Sequence, residues 1–262
     1  MNWTVLGASG TIGQKLSAHL RDAGDVVFSP GRGENLYSRP LGHVIYAIGL
    51  TADFRQRPYD TVESHVRLLA ELLQNGNFES LLYLSSTRVY ARVTTSSEDS
   101  LLKVLSKDPS DLYNLSKLMG ESLCLQDARS SVRVARLSNV VCGDEAESAN
   151  FLPSLVREAR SGRIVLQTAM DSSKDYIHID DVVELLPRIA TEGRERLYNV
   201  ASGIQTTHEQ WTTLFAAHTG CVVKVVPSAP TRRFVPIDIG RIRTEFDFHP
   251  RPVLAAVASI LK

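Results

Sequence analysis

Short apolar runs alternate with segments of helical periodicity along the first 143 residues of the chain. The apolar runs have the length of strands and are Trp3–Leu6, Asp25–Ser29, His43–Ile48, Leu81–Leu84 and Val132–Leu137. The periodic segments fall between them, at residues 12–23, 58–74 and 110–128. Strands that alternate with helices in this way predict an α/β fold, a doubly wound parallel sheet covered by helices on both faces.

The interval between the second and third strands is unusually short. From Arg32 to Gly42 there are too few residues for a further strand and a crossover helix, which together need about a dozen or more. We therefore expect a reduced edge of the sheet, with one edge strand and its helix shortened or missing.

The regular alternation loosens after Gly143, and the polar, acidic stretch Asp144–Asn150 is the best candidate for a domain boundary. Beyond it we expect helices at residues 151–160, 182–189, 207–219, 239–246 and 253–261, with short strands near residues 174–178, 198–201 and 222–226. The prediction is a sheet domain over residues 1–143 and a small C-terminal α/β substrate subdomain over most of residues 144–262. Part of the C-terminal half is expected to return to the sheet domain.

A glycine-rich turn joins the first strand to the first helix. Its sequence is Gly7-Ala8-Ser9-Gly10-Thr11-Ile12-Gly13. Glycine lets the backbone turn tightly and approach a ligand closely, and the N-terminus of the following helix attracts a pyrophosphate. The order of strand, turn and helix therefore predicts a site for the pyrophosphate of a dinucleotide, with a plain tight turn as the alternative.

The end of the second strand favours NADP over NAD. Sites for NAD usually carry an acid there, about twenty residues past the first glycine, for the ribose hydroxyls. No acid stands in Phe28-Ser29-Pro30-Gly31-Arg32, and Arg32 can bind a 2′-phosphate through two hydrogen bonds. A solvated loop arginine is the alternative interpretation of Arg32.

Composition excludes several other classes of protein. The chain has 262 residues, and its 29 basic and 29 acidic side chains give a formal net charge of zero, so nothing favours nucleic acid or an anionic membrane as a partner. We expect no signal peptide, and no run reaches the roughly 18 apolar residues of a membrane span. The three cysteines are scattered without metal or disulfide spacing, which predicts a reducing cytoplasm and no metal site.

Tyr113 and Lys117 are the candidate catalytic residues of the chain. Four residues apart on a predicted helix, their side chains lie on one face. An ammonium group beside a phenol favours the phenolate and lowers the phenol pKa toward neutrality, which allows proton exchange with an alcohol or keto oxygen. The same spacing also occurs in surface pairs, so its weight depends on the neighbouring motifs.

With these motifs in place, the chain resembles the extended short-chain dehydrogenase/reductase family, in its NAD-dependent epimerase/dehydratase group that acts on nucleotide-linked sugars. The resemblance runs nearly from end to end and implies a Rossmann-type fold. Besides the glycine turn and the Tyr113–Lys117 pair, it rests on Ser85-Ser86-Thr87-Arg88-Val89-Tyr90, Ser138-Asn139-Val140-Val141-Cys142-Gly143, Lys174-Asp175-Tyr176-Ile177-His178-Ile179-Asp180-Asp181 and Tyr198-Asn199-Val200-Ala201.

The resemblance implies a role for each matching residue. Tyr113 would exchange the proton, Ser86 would orient the substrate oxygen, and Lys117 would hold the nicotinamide ribose. Together with Arg32, the cofactor-binding residues would be Gly7, Ser9, Gly10, Thr11, Ile12, Gly13, Ala47, Ile48, Tyr113 and Lys117. The substrate-binding residues would be Ser86, Thr87, Asn139 and Lys174, of which the last two would face the substrate's phosphates.

Two departures from the family pattern bear on the reaction. Sugar 4,6-dehydratases of this family carry an Asp-Glu pair directly after the catalytic hydroxyl, where this chain has Thr87 and Arg88. Lys174 replaces an arginine that often contacts the substrate diphosphate, which keeps the charge but not the paired hydrogen bonds. The first departure argues against a 4,6-dehydratase.

We predict no catalytic role for the histidines and acids outside the catalytic set. His178 is expected to pack or to form a structural hydrogen bond, and Asp180 or Asp181 to cap a helix. His65 and His208 lie on predicted helix faces without a cluster of partners, and no role is assigned to them.

Three functions remain open from the sequence. The first is an NAD(P)-dependent epimerase or keto-sugar reductase acting on a nucleotide sugar. The second is a reductase of a different small carbonyl compound, and the third is a protein that senses dinucleotide or binds a partner without catalysis. Arg32 favours a reductase that uses NADPH, whereas the family as a whole favours an epimerase that retains NAD. The resemblance also implies a homodimer, paired through the helices at residues 58–74 and 110–128.

Overall fold

The protein is built from three parallel or mixed sheets. The structure is a computed structural model and describes residues 1–50, 53–143 and 150–261. In these residues the strands are β1 (Asn2–Leu6), β2 (Val26–Phe28), β3 (His43–Tyr46), β4 (Ser80–Ser86), β5 (Val132–Leu137), β6 (Asn139–Val141), β7 (Arg163–Leu166), β8 (Ser173–His178), β9 (Leu197–Val200), β10 (Gln205–Thr207) and β11 (Val222–Val225). The main sheet has six parallel strands in the order β2-β1-β3-β4-β5-β9, and two small sheets have the orders β10-β8-β6 and β11-β7.

Helices cover both faces of the main sheet. The α-helices of the described residues are α1 (Thr11–Asp22), α2 (Pro58–Val62), α3 (Leu68–Asn75), α4 (Asp111–Gln126), α5 (Phe151–Arg160), α6 (Ile179–Glu192), α7 (His208–Thr219), α8 (Gly240–Phe246) and α9 (Val257–Ile260). A π-helical turn at Glu63–Arg67 joins α2 to α3, and 3₁₀ turns lie at Thr87–Tyr90 and Val253–Ala256. Helices α1 and α6 pack on one face of the sheet and α3 and α4 on the other. None of the described helices is long and apolar enough to cross a lipid bilayer.

Alternate side chains of the central strands enter two separate cores. Ile45 and Leu82 pack with the α1 and α6 side, whereas their neighbours Val44 and Tyr83 pack with the α3 and α4 side. Successive residues of a strand point to opposite faces, so a sheet buried on both faces needs apolar residues at every position. This explains the uninterrupted apolar runs and confirms the predicted doubly wound parallel sheet.

The predicted reduction of the sheet edge is also confirmed. β2 is the outermost strand beside β1, and residues 29–42, all of them described, contain no strand or helix. The chain passes directly from the end of β2 to β3 on the other side of β1. The end of β2 is therefore left without a neighbouring strand on its outer side.

A third core belongs to the C-terminal part of the chain. It gathers α5, α7, β7 and the last helix around Trp211 and Phe215, both of which are fully buried. α6 and β9 instead join the main sheet, where Leu197 pairs with Val134 of β5. The boundary predicted at Asp144–Asn150 lies outside the described residues except for Asn150, so the division at residue 143 stays a prediction.

Local details differ from the sequence-based prediction. The single helix expected at residues 58–74 is interrupted by the π-helical turn, and the short strands β6, β7 and β10 were not predicted. β10 consists of polar residues and therefore carries no apolar pattern. The prediction that Asp180 or Asp181 caps α6 is wrong. The His178 Nδ1 atom accepts the Asp180 N–H at 3.2 Å and caps the helix, while Asp181 pairs with Arg251.

Candidate active site

The glycine turn brings β1, β3 and α1 into close contact. Gly7 has a φ of 85°, and a Cβ atom there would lie 2.7 Å from the carbonyl carbon of Ala47. A Cβ atom on Gly13 would lie 2.3 Å from the Gly7 oxygen, so only glycine allows the helix to pack this closely. Gly10 is the N-cap of α1 and supplies no capping side chain. The N–H groups of the first helical turn can therefore bind a pyrophosphate.

One cavity of about 510 Å³ extends from this turn across the carboxyl ends of the strands. The predicted site residues that line it are Gly10, Thr11, Ile12, Gly13, Ala47, Ile48, Ser86, Thr87, Tyr113, Lys117, Asn139 and Lys174. Gly7 lies within the turn, and Ser9 and Arg32 are exposed outside the cavity. The lining joins the glycine turn to Ser86, Tyr113 and Lys174, and the volume is large enough for a dinucleotide and part of a second ligand.

Tyr113 lies in the first half of α4 with only 6% of its surface exposed. Its ring packs against the rings of Phe54 and His65, and each pair of centroids is 5.3 Å apart. Burial raises the pKa of the Tyr113 phenol because the phenolate would lose its hydration, while the Ser86 hydroxyl and the Arg88 charge oppose the shift. The neutral phenol, the form that can give a proton, is therefore favoured.

Lys117 lies one turn further along α4 and is equally buried. Its Nζ atom donates a hydrogen bond to the Leu84 carbonyl at 2.8 Å and lies 6.0 Å from the centroid of the Tyr113 ring. Burial lowers the pKa of Lys117 to about 7, and Glu121 opposes the shift. The expectation that Lys117 lowers the Tyr113 pKa is therefore wrong, because burial dominates that pKa and the opposing cation is Arg88.

Ser86 ends β4 at the centre of the cavity. Its Oγ atom accepts the Arg88 N–H at 3.2 Å, which starts the 3₁₀ turn at Thr87–Tyr90. This turn places the side chains of Ser86, Thr87 and Arg88 on the cavity wall. The Ser86 hydroxyl is close enough to Tyr113 to lower the phenol pKa, so both hydroxyls can reach one substrate oxygen.

A buried ion pair holds α4 against β4, the strand that carries Ser86, and against the neighbouring β5. Glu121 accepts hydrogen bonds from Arg136 at 2.6 Å and from the Ser85 hydroxyl at 2.5 Å. Arg136 also donates to the Tyr90 hydroxyl at 2.6 Å. Buried charges are tolerated when they are paired and hydrogen-bonded in this way. The network joins α4 to β4 and β5 and so fixes the position of Tyr113 relative to Ser86.

Asn139 and Lys174 line the cavity from β6 and β8. The Asn139 amide donates to the Asp175 carbonyl at 2.8 Å and thereby bridges β6 and β8. Lys174 Nζ lies 5.0 Å from the centroid of the Phe151 ring, and burial, Arg88 and Arg232 all lower the pKa of its ammonium. The Lys174 ammonium group has no hydrogen-bond or ion-pair partner within the described residues, which leaves it available for an anionic ligand.

The sequence profile of the NAD dependent epimerase/dehydratase family matches residues 3–201, which include the glycine turn, Ser86, Tyr113 and Lys117. The chain belongs to this family. A related protein, GDP-6-deoxy-D-mannose reductase of Pseudomonas aeruginosa, is 30% identical in an alignment 227 residues long, and the match covers 76% of this chain and 74% of that protein. The predicted family and the prediction of an NAD(P)-dependent enzyme are therefore confirmed.

Solved structures share the epimerase/dehydratase fold over the whole chain. RMD from Pseudomonas aeruginosa, complexed with NADPH, has a TM-score of 0.81 at 24% identity, and the match covers 100% of this chain and 98% of that one. MoeE5, in complex with UDP-glucose and NAD, has a TM-score of 0.81 at 22% identity, with coverages of 100% and 97%. UDP-glucuronic acid 4-epimerase from Bacillus cereus has a TM-score of 0.79 at 16% identity, with coverages of 100% and 98%. At these identities the likeness concerns the fold.

Three side chains in this member of the epimerase/dehydratase family, Phe54, His65 and Arg88, contact Tyr113 without having been assigned a role from the sequence. His65 is fully buried in the π-helical turn, and its ring meets that of Tyr113 edge-on. The Arg88 guanidinium carbon lies 5.7 Å from the centroid of the Tyr113 ring. No pattern in the sequence indicates a role for His65. The position of Arg88, a cation two residues after the hydroxyl of Ser86, does indicate one.

The end of β2, at the reduced edge of this epimerase/dehydratase fold, is flanked by arginines. Arg32 is exposed in the loop that follows the strand. Arg21 donates to the Ser29 hydroxyl at 3.2 Å, and the Arg39 guanidinium lies 4.5 Å from the centroid of the Phe28 ring. Sequence reasoning named only Arg32, because Arg21 and Arg39 reach this position from α1 and from the later part of the loop.

Proposed function

We propose that the protein reduces a keto group on a nucleotide-linked sugar with NADPH as the hydride donor. The observation that carries this proposal is the end of β2, where arginines stand and the acid of an NAD site is absent from residues 28–32. An exposed guanidinium pairs well with a 2′-phosphate. The 30% identity to GDP-6-deoxy-D-mannose reductase supports a reductase.

In this proposal each residue of the site has a separate role. The N–H groups at the start of α1 bind the pyrophosphate, and Lys117 holds the nicotinamide ribose hydroxyls. The bound dinucleotide supplies the hydride that adds to the keto carbon. Ser86 donates a hydrogen bond to the keto oxygen and orients it, and Tyr113 transfers its phenolic proton to the oxygen as the alcohol forms.

The protonation state of Tyr113 suits the proposed reduction. Burial raises the pKa of this phenol, so the proton that reduction consumes is in place at neutral pH. The reverse oxidation uses the phenolate, so its rate should rise with pH. An oxidation assay at alkaline pH therefore reports on the same site.

A 4,6-dehydratase is disfavoured by the residues beside Ser86. Thr87 and Arg88 lie on the cavity wall where such enzymes place their acid pair. Among the described residues that line the cavity, Asp175 is the one acid, and its Oδ1 atom accepts the Ser202 N–H at 3.0 Å. The cavity therefore lacks the second acid–base group that dehydration would use.

The second ligand of the cavity is proposed to be a nucleotide sugar. Lys174 offers an ammonium group to the diphosphate, and Asn139 shapes the adjoining wall. The sugar would lie between them and Tyr113.

We also propose a homodimer paired through α2, α3 and α4. These helices expose apolar side chains, with Tyr59 at 89%, Met119 at 54% and Val62 at 42% of their surface accessible. Light scattering on the wild type and on Met119→Lys tests the pairing. A monomeric wild type, or a dimer that Met119→Lys leaves intact, would count against this surface.

The reaction is tested by assaying oxidation of GDP-6-deoxy-D-mannose, UDP-glucose and related nucleotide sugars with NADP⁺ and NAD⁺, read as reduced nicotinamide. We expect turnover with NADP⁺ on at least one sugar and none in Tyr113→Phe, with dinucleotide binding retained in the variant. Mass spectrometry of the denatured protein supplies the decisive alternative. NAD released in stoichiometric amount would point to an epimerase and overturn the reductase proposal.

A further inference from the structure

Arg88 lies on the cavity wall in an unusual electrostatic setting. Its Nε atom is buried without a hydrogen-bond partner among the described residues, and its Nη2 atom makes only a long contact of 3.4 Å to the Ser110 carbonyl. No carboxylate in the described part of the chain forms an ion pair with it. Asp108 and Asp111 act on its charge, and both are already paired with Arg92.

A second arginine makes this setting still less favourable. Arg55 and Arg88 both pack on the ring of Phe54, with guanidinium carbons 4.4 Å and 5.2 Å from its centroid. Burial lowers the pKa of Arg88, and the charge of Arg55 lowers it further. A partly buried cation beside a like charge costs free energy unless an anion offsets it. The missing anion is therefore expected from a ligand.

The position of Arg88 indicates which part of a ligand it would meet. It stands two residues after Ser86 and packs on the ring of Tyr113, so its guanidinium lies beside the hydroxyls that hold the reacting oxygen. Lys174, the residue placed to meet the diphosphate, packs instead on the ring of Phe151, although it lies close enough to Arg88 for the arginine charge to lower its pKa. Because Arg88 packs on Tyr113, an anion at Arg88 would lie on the sugar ring, close to the carbon that accepts the hydride.

We propose that Arg88 binds a carboxylate on the sugar ring, so that the substrate is a nucleotide-linked uronic acid or a similarly acidic sugar. This inference rests on the proposed function and adds the substrate class to it. A planar carboxylate matches a guanidinium through two parallel hydrogen bonds, and the unpartnered Nε atom is one of the donors that such a pair uses. The cavity lining carries three cations, Arg88, Lys117 and Lys174, which suits a ligand with more negative charge than a neutral sugar nucleotide.

The test compares matched ligands on the protein saturated with NADP⁺. Calorimetric titrations with UDP, UDP-glucose and UDP-glucuronic acid, and with GDP, GDP-mannose and GDP-mannuronic acid, separate the nucleotide from the sugar carboxylate. In one of the two series we expect the uronate to bind about ten- to a hundredfold more tightly than the neutral sugar, the range of a charge-assisted hydrogen-bond pair. Arg88→Met should remove most of this preference and leave binding of the nucleotide alone unchanged.

Arg55→Met is the matched control, because it removes a like charge from the same aromatic ring without touching the cavity. It should keep the preference. Equal binding of uronate and neutral sugar by the wild type, or a preference that survives Arg88→Met, would overturn the inference. Weaker binding of UDP or GDP alone in Arg88→Met would do the same, by assigning the arginine to the diphosphate.

The outcome for the proposed function is read separately. If the wild type binds neutral and acidic nucleotide sugars equally but oxidises a neutral one in a Tyr113-dependent way, only the uronate inference is overturned. If the wild type binds neither nucleotides nor nucleotide sugars, both the proposed function and the uronate inference are overturned.

Discussion

The ring of His65 meets the ring of Tyr113 edge-on, with centroids 5.3 Å apart and an interplanar angle of 88°. His65 Nε2 accepts the Leu50 N–H at 3.2 Å, which requires the proton on Nδ1, and Nδ1 lies 2.8 Å from the Ser116 hydroxyl. Burial and the charge of Lys117 lower the pKa of His65 to about 2. A neutral imidazole thus links the segment after β3 to the helix that carries Tyr113.

Replacement of His65 by phenylalanine is expected to weaken this link. The ring would still fill the space, but the Leu50 N–H would lose its acceptor, at a cost of about 1–3 kcal/mol in the free energy of unfolding. We expect a lower Tm and a lower kcat/KM than in wild type, since the cavity wall at Ala47 and Ile48 leads directly into Leu50. Thermal melts and steady-state assays on His65→Phe measure both.

His218→Phe is the control, because His218 is exposed and bonds only to the Leu214 carbonyl of its own helix. It should change stability by no more than about 0.5 kcal/mol. The activity of the wild type should also show no titration of His65 between pH 5 and 8. A His65→Phe variant with wild-type Tm and kcat/KM would contradict the positioning role.

The importance of His65 could not be read from the sequence, because polar residues occupy the buried face of this segment. The helical pattern of apolar residues placed Val62 on the buried face, yet Val62 is 42% exposed. The buried residues are Thr61, His65, Leu69 and Leu72, which keep helical spacing through the π-helical turn. A pattern that counts only apolar residues therefore misassigns the face.

The glycine turn and the residues Ser86, Tyr113 and Lys117 were predictable because short stretches of sequence carry them. Each depends on a local pattern at the end of a strand or on one face of a helix. The contacts that set their chemistry join distant parts of the chain. The bond from Lys117 to the Leu84 carbonyl spans 33 residues, and the packing of Arg88 on Tyr113 depends on how β4 and α4 meet. For this reason the cation that acts on Tyr113 was misassigned to Lys117.

Lys117 is expected to lower the free energy of unfolding, because its ammonium group is buried in the active site. Its pKa falls from 10.5 to about 7 on folding, so the buried ammonium is disfavoured relative to the unfolded chain. Lys117→Met removes this cost but also the hydrogen bond to Leu84, for a net gain of roughly 2 kcal/mol, or about 4–8 °C in Tm. Activity should be lost.

The sign of the pH dependence follows from the same shift. Well below pH 7 Lys117 is charged in both the folded and the unfolded protein, so the gain from Lys117→Met is largest there. Above pH 7 the folded protein releases the proton first, and the gain shrinks as the pH approaches 10.5. Thermal melts at pH 6 and pH 9 measure the difference, with exposed Lys224→Met as control. A lower Tm for Lys117→Met than for the wild type at pH 6 would contradict the lowered pKa of Lys117.

Arg32 is expected to distinguish the two dinucleotides. Arg32→Ala removes a guanidinium that can pair with the 2′-phosphate, so NADPH should bind about ten- to a hundredfold more weakly, while NADH should be nearly unaffected. Fluorescence titration with both reduced dinucleotides measures the ratio. Arg163→Ala, at an exposed arginine of the small sheet, is the control and should leave both affinities unchanged. Equal weakening of NADPH and NADH by Arg32→Ala would remove the argument for NADP.

The alkaline limb of the pH–rate profile is expected to report on Arg88 and Tyr113. Reduction consumes the phenolic proton, so kcat should fall as the pH rises through the pKa of Tyr113. The Arg88 charge holds that pKa below the value that burial alone would give. Arg88→Met should therefore move the limb to higher pH, whereas Arg88→Lys and Arg55→Met should leave it nearer the wild-type position. The profiles are best measured with a neutral nucleotide sugar, so that loss of a carboxylate contact does not enter. A limb that stays in place in Arg88→Met, or moves to lower pH, would show that Arg88 does not act on the phenol.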